Sequence, residues 1–299
     1  MKNAIFITII VATCIIHTFS FAQTGTLAVT RKIANETIDP YLPDPNPPRE
    51  IPGYHYVWGD EFNYEGNVDQ TLWQAEKGFI RGNELQYYQM KNATVSEGRL
   101  LISAKKERVK NEFYDPNSSD YRKNTEYSQY TSASILGKQK RYFLFGRIEV
   151  RAKVDTAGGN FPAIWTCGYN KNWPQNGEID IMEYYWANIE NKYQPVLTAN
   201  FCVGGDNRQD EWAQKWKSTF TPLSYYTAKD ADWVNKYHVW RMDWDEEAIS
   251  LYLDDELRNT LKIKDFKNYD GSIAFYNPQF MMLNLAVKVQ RAGDYLSPT

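Results

Sequence analysis

Three carboxylates crowd one short apolar stretch of this 299-residue chain. Residues 176–184 read Asn-Gly-Glu-Ile-Asp-Ile-Met-Glu-Tyr, so Glu178, Asp180 and Glu183 stand among Ile179, Ile181 and Met182. Side chains alternate between the two faces of a strand, which puts Glu178 and Asp180 on one face. Glu183 points the other way on a regular strand. One extra residue, a β-bulge near Ile181 or Met182, brings it round to join the other two. Like charges held close together disfavour ionisation and cost stability. No packing requirement accounts for such a row.

Cleavage of a glycosidic bond does account for it. One carboxylate attacks the anomeric carbon while a second carboxyl, kept protonated, gives its proton to the leaving oxygen. A retaining reaction places the two groups about 5 Å apart. Same-face neighbours on a strand are about 6–7 Å apart. Glu178 and Glu183 therefore start farther apart at the backbone, and their long side chains lean toward a sugar held over Asp180.

Elsewhere the pattern is one of strands and turns. Residues 95–104 read as a strand, a Glu97-Gly98 turn and a second strand. Residues 145–154 alternate, and 161–168, 177–186, 196–203, 237–243, 248–253 and 280–289 are β-rich, with Asp254-Asp255 as a hairpin turn. Helical periodicity is scarce and there is no internal repeat. The expected class is all-β, a sandwich in one large domain. Aromatic residues make up 15% of the chain, with 10 Trp and 22 Tyr. They pack a core and also suit the flat faces of pyranose rings. A net charge of −3 leaves no footprint for nucleic acid or an anionic membrane and argues against a heavily sulfated polysaccharide.

Trp165 and Trp173 are candidates for stacking on a sugar. Two insertions stand out: residues 109–130, polar and Tyr-rich, and residues 204–235, a long charged connection with Trp212, Trp216 and Trp233. Loops of that length are usually functional or disordered; the second is expected either to wall the cleft and set which sugar fits or to form a surface flap pinned by its own Trp residues. His17, His55 and His238 are isolated, so no catalytic metal is expected. If the acidic strand lies between those of Cys167 and Cys202, the two are about 9–10 Å apart. A disulfide needs Cα atoms within about 7 Å, so free thiols are expected.

The segment from Trp173-Pro174-Gln175 through Glu178-Ile179-Asp180-Ile181-Met182-Glu183-Tyr184 resembles the active-site strand of glycoside hydrolase family 16 in its bulged, laminarinase-like form. Trp58-Gly59-Asp60-Glu61-Phe62 resembles the family's opening strand, and Gly82-Asn83-Glu84-Leu85-Gln86-Tyr87-Tyr88 its substrate-loop segment. Residues 145–153 and 161–165 resemble the two strands leading into the site, and the likeness covers residues 55–294. It implies a two-sheet antiparallel jelly roll, concanavalin A-like, with an open substrate cleft. By the same resemblance Glu178 is the nucleophile, Glu183 the general acid/base, and Asp180 a hydrogen-bond partner that tunes the nucleophile. Asn83 is implied to bond sugar hydroxyls with Arg81 beside it. Asn200 falls where many relatives carry a His; an amide can bond a sugar but cannot titrate. The resemblance also places a structural calcium near Glu61 and the Gly98 carbonyl, with a further ligand from a closing strand that the residues after Ala286 do not match.

The implied activity is that of a secreted, monomeric, retaining endo-glycanase acting without a cofactor on β-1,3- or β-1,3/1,4-glucan. Alternatives within the family are a galactan- or agar-type hydrolase, a mucin-glycan endo-β-galactosidase and a transglycosylase. From another class, a carbohydrate-binding lectin shares the fold; the intact acid trio separates the two readings, since a lectin has no use for it.

The N-terminus reads as an export signal, with Lys2, an apolar run from Ala4 to Phe21 and a Ser20-Phe21-Ala22 cleavage site. Residues 1–22 are thus expected to be removed and no stable membrane insertion is expected. Val11-Ala12-Thr13-Cys14 is a poor lipoprotein box. Residues 23–52, rich in Pro, are expected to form an extended linker, and residues 53–299 the catalytic domain, short of its final strand.

Overall fold

The structure is a computed structural model that describes residues 39–44, 51–82, 84–206 and 210–287, together with the backbone path of residues 7–18. In chain order the strands are β1 (Ile7–Thr18), β2 (His55–Asp60), β3 (Gly66–Asn67), β4 (Gln74–Ala75), β5 (Gln86–Tyr88), β6 (Ala93–Ser96) and β7 (Arg99–Lys110). A short helix α1 (Tyr121–Asn124) precedes β8 (Tyr127–Ser132), β9 (Ser134–Leu136), β10 (Gly146–Lys153), β11 (Asn160–Gly168), β12 (Glu178–Ile189), β13 (Lys192–Gly204) and β14 (Gln214–Pro222). After α2 (Leu223–Thr227) come β15 (His238–Trp244), β16 (Ala248–Leu253), β17 (Glu256–Lys262) and β18 (Gln279–Val287).

Two sheets form the sandwich. The seven-stranded sheet runs β14-β13-β12-β11-β18-β9-β4, with every pairing antiparallel. The eleven-stranded sheet follows β17-β16-β15-β10-β1-β7-β6-β3, with β2, β5 and β8 joined at its side. Inward residues of the two, such as Ile179, Phe201 and Leu283 on one and Val150, Met242 and Leu251 on the other, share one core. The fold is the expected all-β jelly-roll sandwich. Both predicted turns form: Glu97 and Gly98 have φ of 54° and 70°, and Asp254 and Asp255 have φ of 47° and 67°.

β12 carries the bulge. Asp180 pairs with Asn200 and Glu183 with Thr198, so the two residues Ile181 and Met182 on β12 face the single Ala199 on β13. Both are buried in the core, as are Ile179 and Tyr184. Regular alternation would turn Met182 out and Glu183 into the sandwich. Each buried apolar side chain contributes about 1.5–3 kcal/mol, and a buried unpaired carboxylate costs several kcal/mol. A disturbed ladder bond costs about 1 kcal/mol, so the bulge wins.

No gap lies between β7 and β10. β1, from the stretch read as an export signal, runs antiparallel to both. Cleavage after Ala22 would remove this strand and expose the ladder groups of its neighbours. Residues 288–299 lie outside the described residues.

Two expectations about connections need correction. The stretch Asp39–Asp44 of the Pro-rich linker is docked: Arg151 donates to the carbonyls of Leu42 (2.8 Å) and Asp39 (2.9 Å), and the Tyr237 amide donates to that of Pro40 (2.7 Å). Nor is the segment 204–235 a long loop. Its alternation of side chains makes β14 an added edge strand, and Trp233 is buried against His238 (centroids 3.9 Å apart) and Tyr226. The 109–130 insertion extends β7, forms α1 and returns as β8, and Tyr121 donates to the carbonyl of Arg81. It therefore braces the turn that brings Arg81 to the cleft.

Candidate active site

The outer face of the seven-stranded sheet is concave, and a cleft of about 950 Å³ lies on it. Strand register sets the side chains in rows across this face. In the first row Trp216, Cys202, Glu178, Cys167 and Phe280 are neighbours. In the second, Ser218, Asn200, Asp180, Trp165 and Met282 follow one another. In the third stand Phe220, Thr198, Glu183, Ala163 and Asn284. The bulge thus puts all three acids on the same face at the middle of the cleft.

Gly168 and Gly177 pin the loop that leads into Glu178. Gly177 has φ of 80°, and a Cβ there would stand 2.8 Å from that of Ala274. At Gly168 a Cβ would lie 2.1 Å from the Asn176 carbonyl oxygen. The loop so held carries Trp173, whose indole Nε1 donates to Glu178 Oε2. Trp173, expected as a stacking residue, is thus also a direct partner of the first acid.

Asn200, expected to meet the sugar, bonds two of the acids. Its Nδ2 lies 3.1 Å from Asp180 Oδ2 and 2.8 Å from Glu183 Oε2, and the Thr198 hydroxyl donates to Glu183 at 3.3 Å. Asn200 therefore ties the second and third acids to β13. Trp165 is half-buried, donates to Asn284 Oδ1 at 2.7 Å, and lies under the Arg81 guanidinium, 5.1 Å from its ring centroid. Arg81 is also paired with Glu76 and reaches the cleft beside Trp165. Asn83 lies outside the described residues.

Burial, first of all, raises the pKa of Glu178; the Trp173 indole, a hydrogen bond from Asp180 and the charge of Arg81 oppose it. Asp180 is pushed well above the ordinary carboxylate range, by burial and then by the charges of Glu183 and Glu178, with only Asn200 opposing. Both acids thus hold protons more tightly than free carboxyls, Asp180 the more strongly of the two.

A carboxyl whose pKa is raised by folding binds its proton more tightly in the folded state. Its stabilisation is complete at low pH and is lost as pH rises from the unfolded Asp value through the raised folded value. Asp180→Asn keeps a donor toward Glu178 and an acceptor toward Asn200 but cannot ionise. Its Tm is expected to fall less than that of the wild type as pH rises from about 4 toward and past neutrality. Melting curves across that range check this; parallel curves would contradict it.

Both thiols are buried and free, as the spacing argument expects, and Glu178 stands between them in register. Burial raises the pKa of each. Gly98 lies 3.5 Å, measured from the position of a Cβ, from Asn63 Oδ1. Among the described residues no three His, Cys, Asp or Glu side chains cluster to hold a metal. A calcium at Glu61 and Gly98 would thus depend mainly on carbonyl and amide oxygens, whereas calcium takes six to eight oxygen ligands. It rests on the resemblance alone.

The 204–235 segment does line the cleft, through Trp212, Gln214, Trp216, Ser218 and Phe220; sequence reasoning named Trp212 and Trp216 in it but did not single out Phe220. The signal was there: in Gln214-Lys215-Trp216-Lys217-Ser218-Thr219-Phe220, aromatic residues alternate with lysines, the mark of a strand with one aromatic face.

The model of the family "Glycosyl hydrolases family 16" matches residues 85–298. A β-glucanase of Rhodothermus marinus is 30% identical over 257 residues, covering 80% of this chain and 77% of that protein. A solved structure from work on how prominent members of the human gut microbiota express endo-acting O-glycanases to initiate mucin breakdown superposes with a TM-score of 0.70. It is 33% identical and the match covers 81% of this chain and 84% of that one. LamAcat from Zobellia galactanivorans gives a TM-score of 0.62 at 29% identity, over 81% of this chain and 91% of its own. With its three acids brought onto one open face by a bulged strand, the chain belongs to glycosyl hydrolase family 16.

Proposed function

We propose that this protein is a retaining endo-hydrolase of β-linked glycans, with β-1,3-linked glucan as its first substrate class. The observation that carries the reading is the asymmetry of the acid trio. Glu178 is buried and bonded by the Trp173 indole, and the Trp173, Asp180 and Arg81 contacts all favour its charged form, as a nucleophile requires. Glu183 is more open to the cleft and bonded to β13, within reach of a leaving oxygen. Attack by Glu178 forms a glycosyl ester as Glu183 gives its proton to the departing sugar. Glu183 then takes a proton from water, which releases the product with its configuration kept. The row layout fits a glycan that crosses the strands, with binding surface on both sides of the acids, and hence cleavage within a chain.

A second reading, hydrolysis of β-1,4-galactosidic links in mucin-type glycans, is favoured by the higher identity and TM-score of the O-glycanase structure. Both readings are tested by reducing-end release from laminarin, mixed-linkage glucan, agarose, galactan and mucin O-glycans. Release from laminarin with the β-anomer appearing first supports the principal reading. Release from mucin glycans alone selects the second. An α-anomer formed first would refute retention, and binding without release from any of them would favour a lectin. Export through residues 1–22 belongs to the same proposal.

A further inference from the structure

β14 has two unlike faces. Lys215 lies over the Phe266 ring at 5.2 Å and Lys217 donates to the Thr260 carbonyl at 2.6 Å, so one face packs toward the other side of the sandwich. The other presents Trp216, Ser218 and Phe220 to the cleft. Trp216 and Phe220 remain 42% and 41% exposed, although two large aromatic rings on one strand would gain by being covered. Gln214 accepts from Trp216 Nε1 at 2.8 Å and so fixes the indole toward its own side of the strand. The rings stand four positions apart with three residues between them, about 13 Å along β14. Ser218 stands between them, and Asn200 lies beyond it in the same row. The result is a slot with a polar floor and two aromatic walls.

The acids place this slot relative to the cleaved bond. Glu183 is tied to Asn200 and Thr198 on β13, so it leans toward β14. The leaving oxygen must meet Glu183, and the leaving part of the glycan therefore runs over β13 and β14. β14 is two strand spacings from β12, about 10 Å, a distance spanned by a disaccharide. We propose that Trp216 and Phe220 form a clamp on the leaving-group side, each ring stacking on the sugar that passes nearest to it over β14 and Ser218 between them bonding hydroxyls. The inference deepens the glycanase reading and rests on it.

The test compares two substrates that share the same glycone. One is an aryl glycoside with no sugar on the leaving side; the other is an oligosaccharide with at least two. For Trp216→Ala and Phe220→Ala, kcat/KM on the oligosaccharide is expected to fall about tenfold each, with aryl glycoside hydrolysis and Tm unchanged. Trp216→Phe, which keeps a ring, should recover most of the loss. Equal losses on both substrates, or none on the oligosaccharide, would overturn the clamp. Calorimetric binding of the oligosaccharide to Glu178→Gln, with and without Trp216→Ala, gives a reading independent of turnover. If the wild type cleaves nothing, the glycanase reading fails, and this binding difference alone decides whether the clamp exists.

Discussion

Glu178→Gln is expected to lose turnover by at least about 10⁴-fold on every glycan, whatever the leaving group. The amide is no nucleophile, so the glycosyl ester cannot form. Glu183→Gln should behave differently. Loss of the proton donor is expected to cost about 10²–10⁴-fold on a polysaccharide, whose leaving alcohol needs protonation. An aryl glycoside with an acidic phenol leaves without that help, so its first step should be nearly spared and ester hydrolysis should become limiting. A burst of phenol followed by slow turnover is the expected record. Both variants should keep the wild-type Tm to within a few degrees, since each replaces an oxygen by an amide of similar size. Equal behaviour of the two variants on the aryl glycoside would refute the assignment of roles.

The largest effect of a change that touches no acid is expected at Gly168. A methyl group there would stand 2.1 Å from the Asn176 carbonyl oxygen, a backbone atom that cannot rotate away. Gly168 also donates to the Gly177 carbonyl at 3.0 Å, so the strand end and the loop cannot part without losing that bond. Gly168→Ala should therefore push the loop outward at a cost of about 3 kcal/mol, which for a domain of this size lowers Tm by roughly 6–12 °C. Trp173 rides on that loop, and its displacement takes the indole from Glu178. Activity should fall by about 10²-fold, the usual consequence of misplacing a supporting group by an ångström. Melting and kinetics on the same preparation check both parts; a variant with wild-type Tm would show that the loop gives way freely.

Much of this was legible in residues 176–184. Ile181 and Met182 are consecutive and apolar, and only a bulge lets both face a core while Glu183 joins Glu178 and Asp180 outside. Turns declared themselves through Glu97-Gly98 and Asp254-Asp255, because few residues accept positive φ. Less legible were contacts between parts distant in sequence. Asn200 stood out only by resemblance; that its one amide group ties two acids depends on the register of β12 with β13. The 204–235 segment read as a loop because Trp216 and Phe220 on β14 stay exposed and only Lys215 of its lysines is partly covered, so no buried apolar face marks the strand. Arg81 and Tyr121 are forty residues apart, and their contact appears only when β7 and β8 fold back. Residues 7–18 carry an apolar pattern that reads as an export signal in sequence, whereas in the fold they pair as β1 between β7 and β10.

An indole donating to a carboxylate has one more consequence. Emission from Trp173 should respond to the charge on Glu178, because a neighbouring anion shifts the energy of the excited ring. The difference in fluorescence between the wild type and Trp173→Phe, followed against pH, would titrate the coupled acids without any substrate. Formation of the proposed glycosyl ester on Glu178 should change the same signal abruptly, so the indole would serve as a native optical gauge of that step.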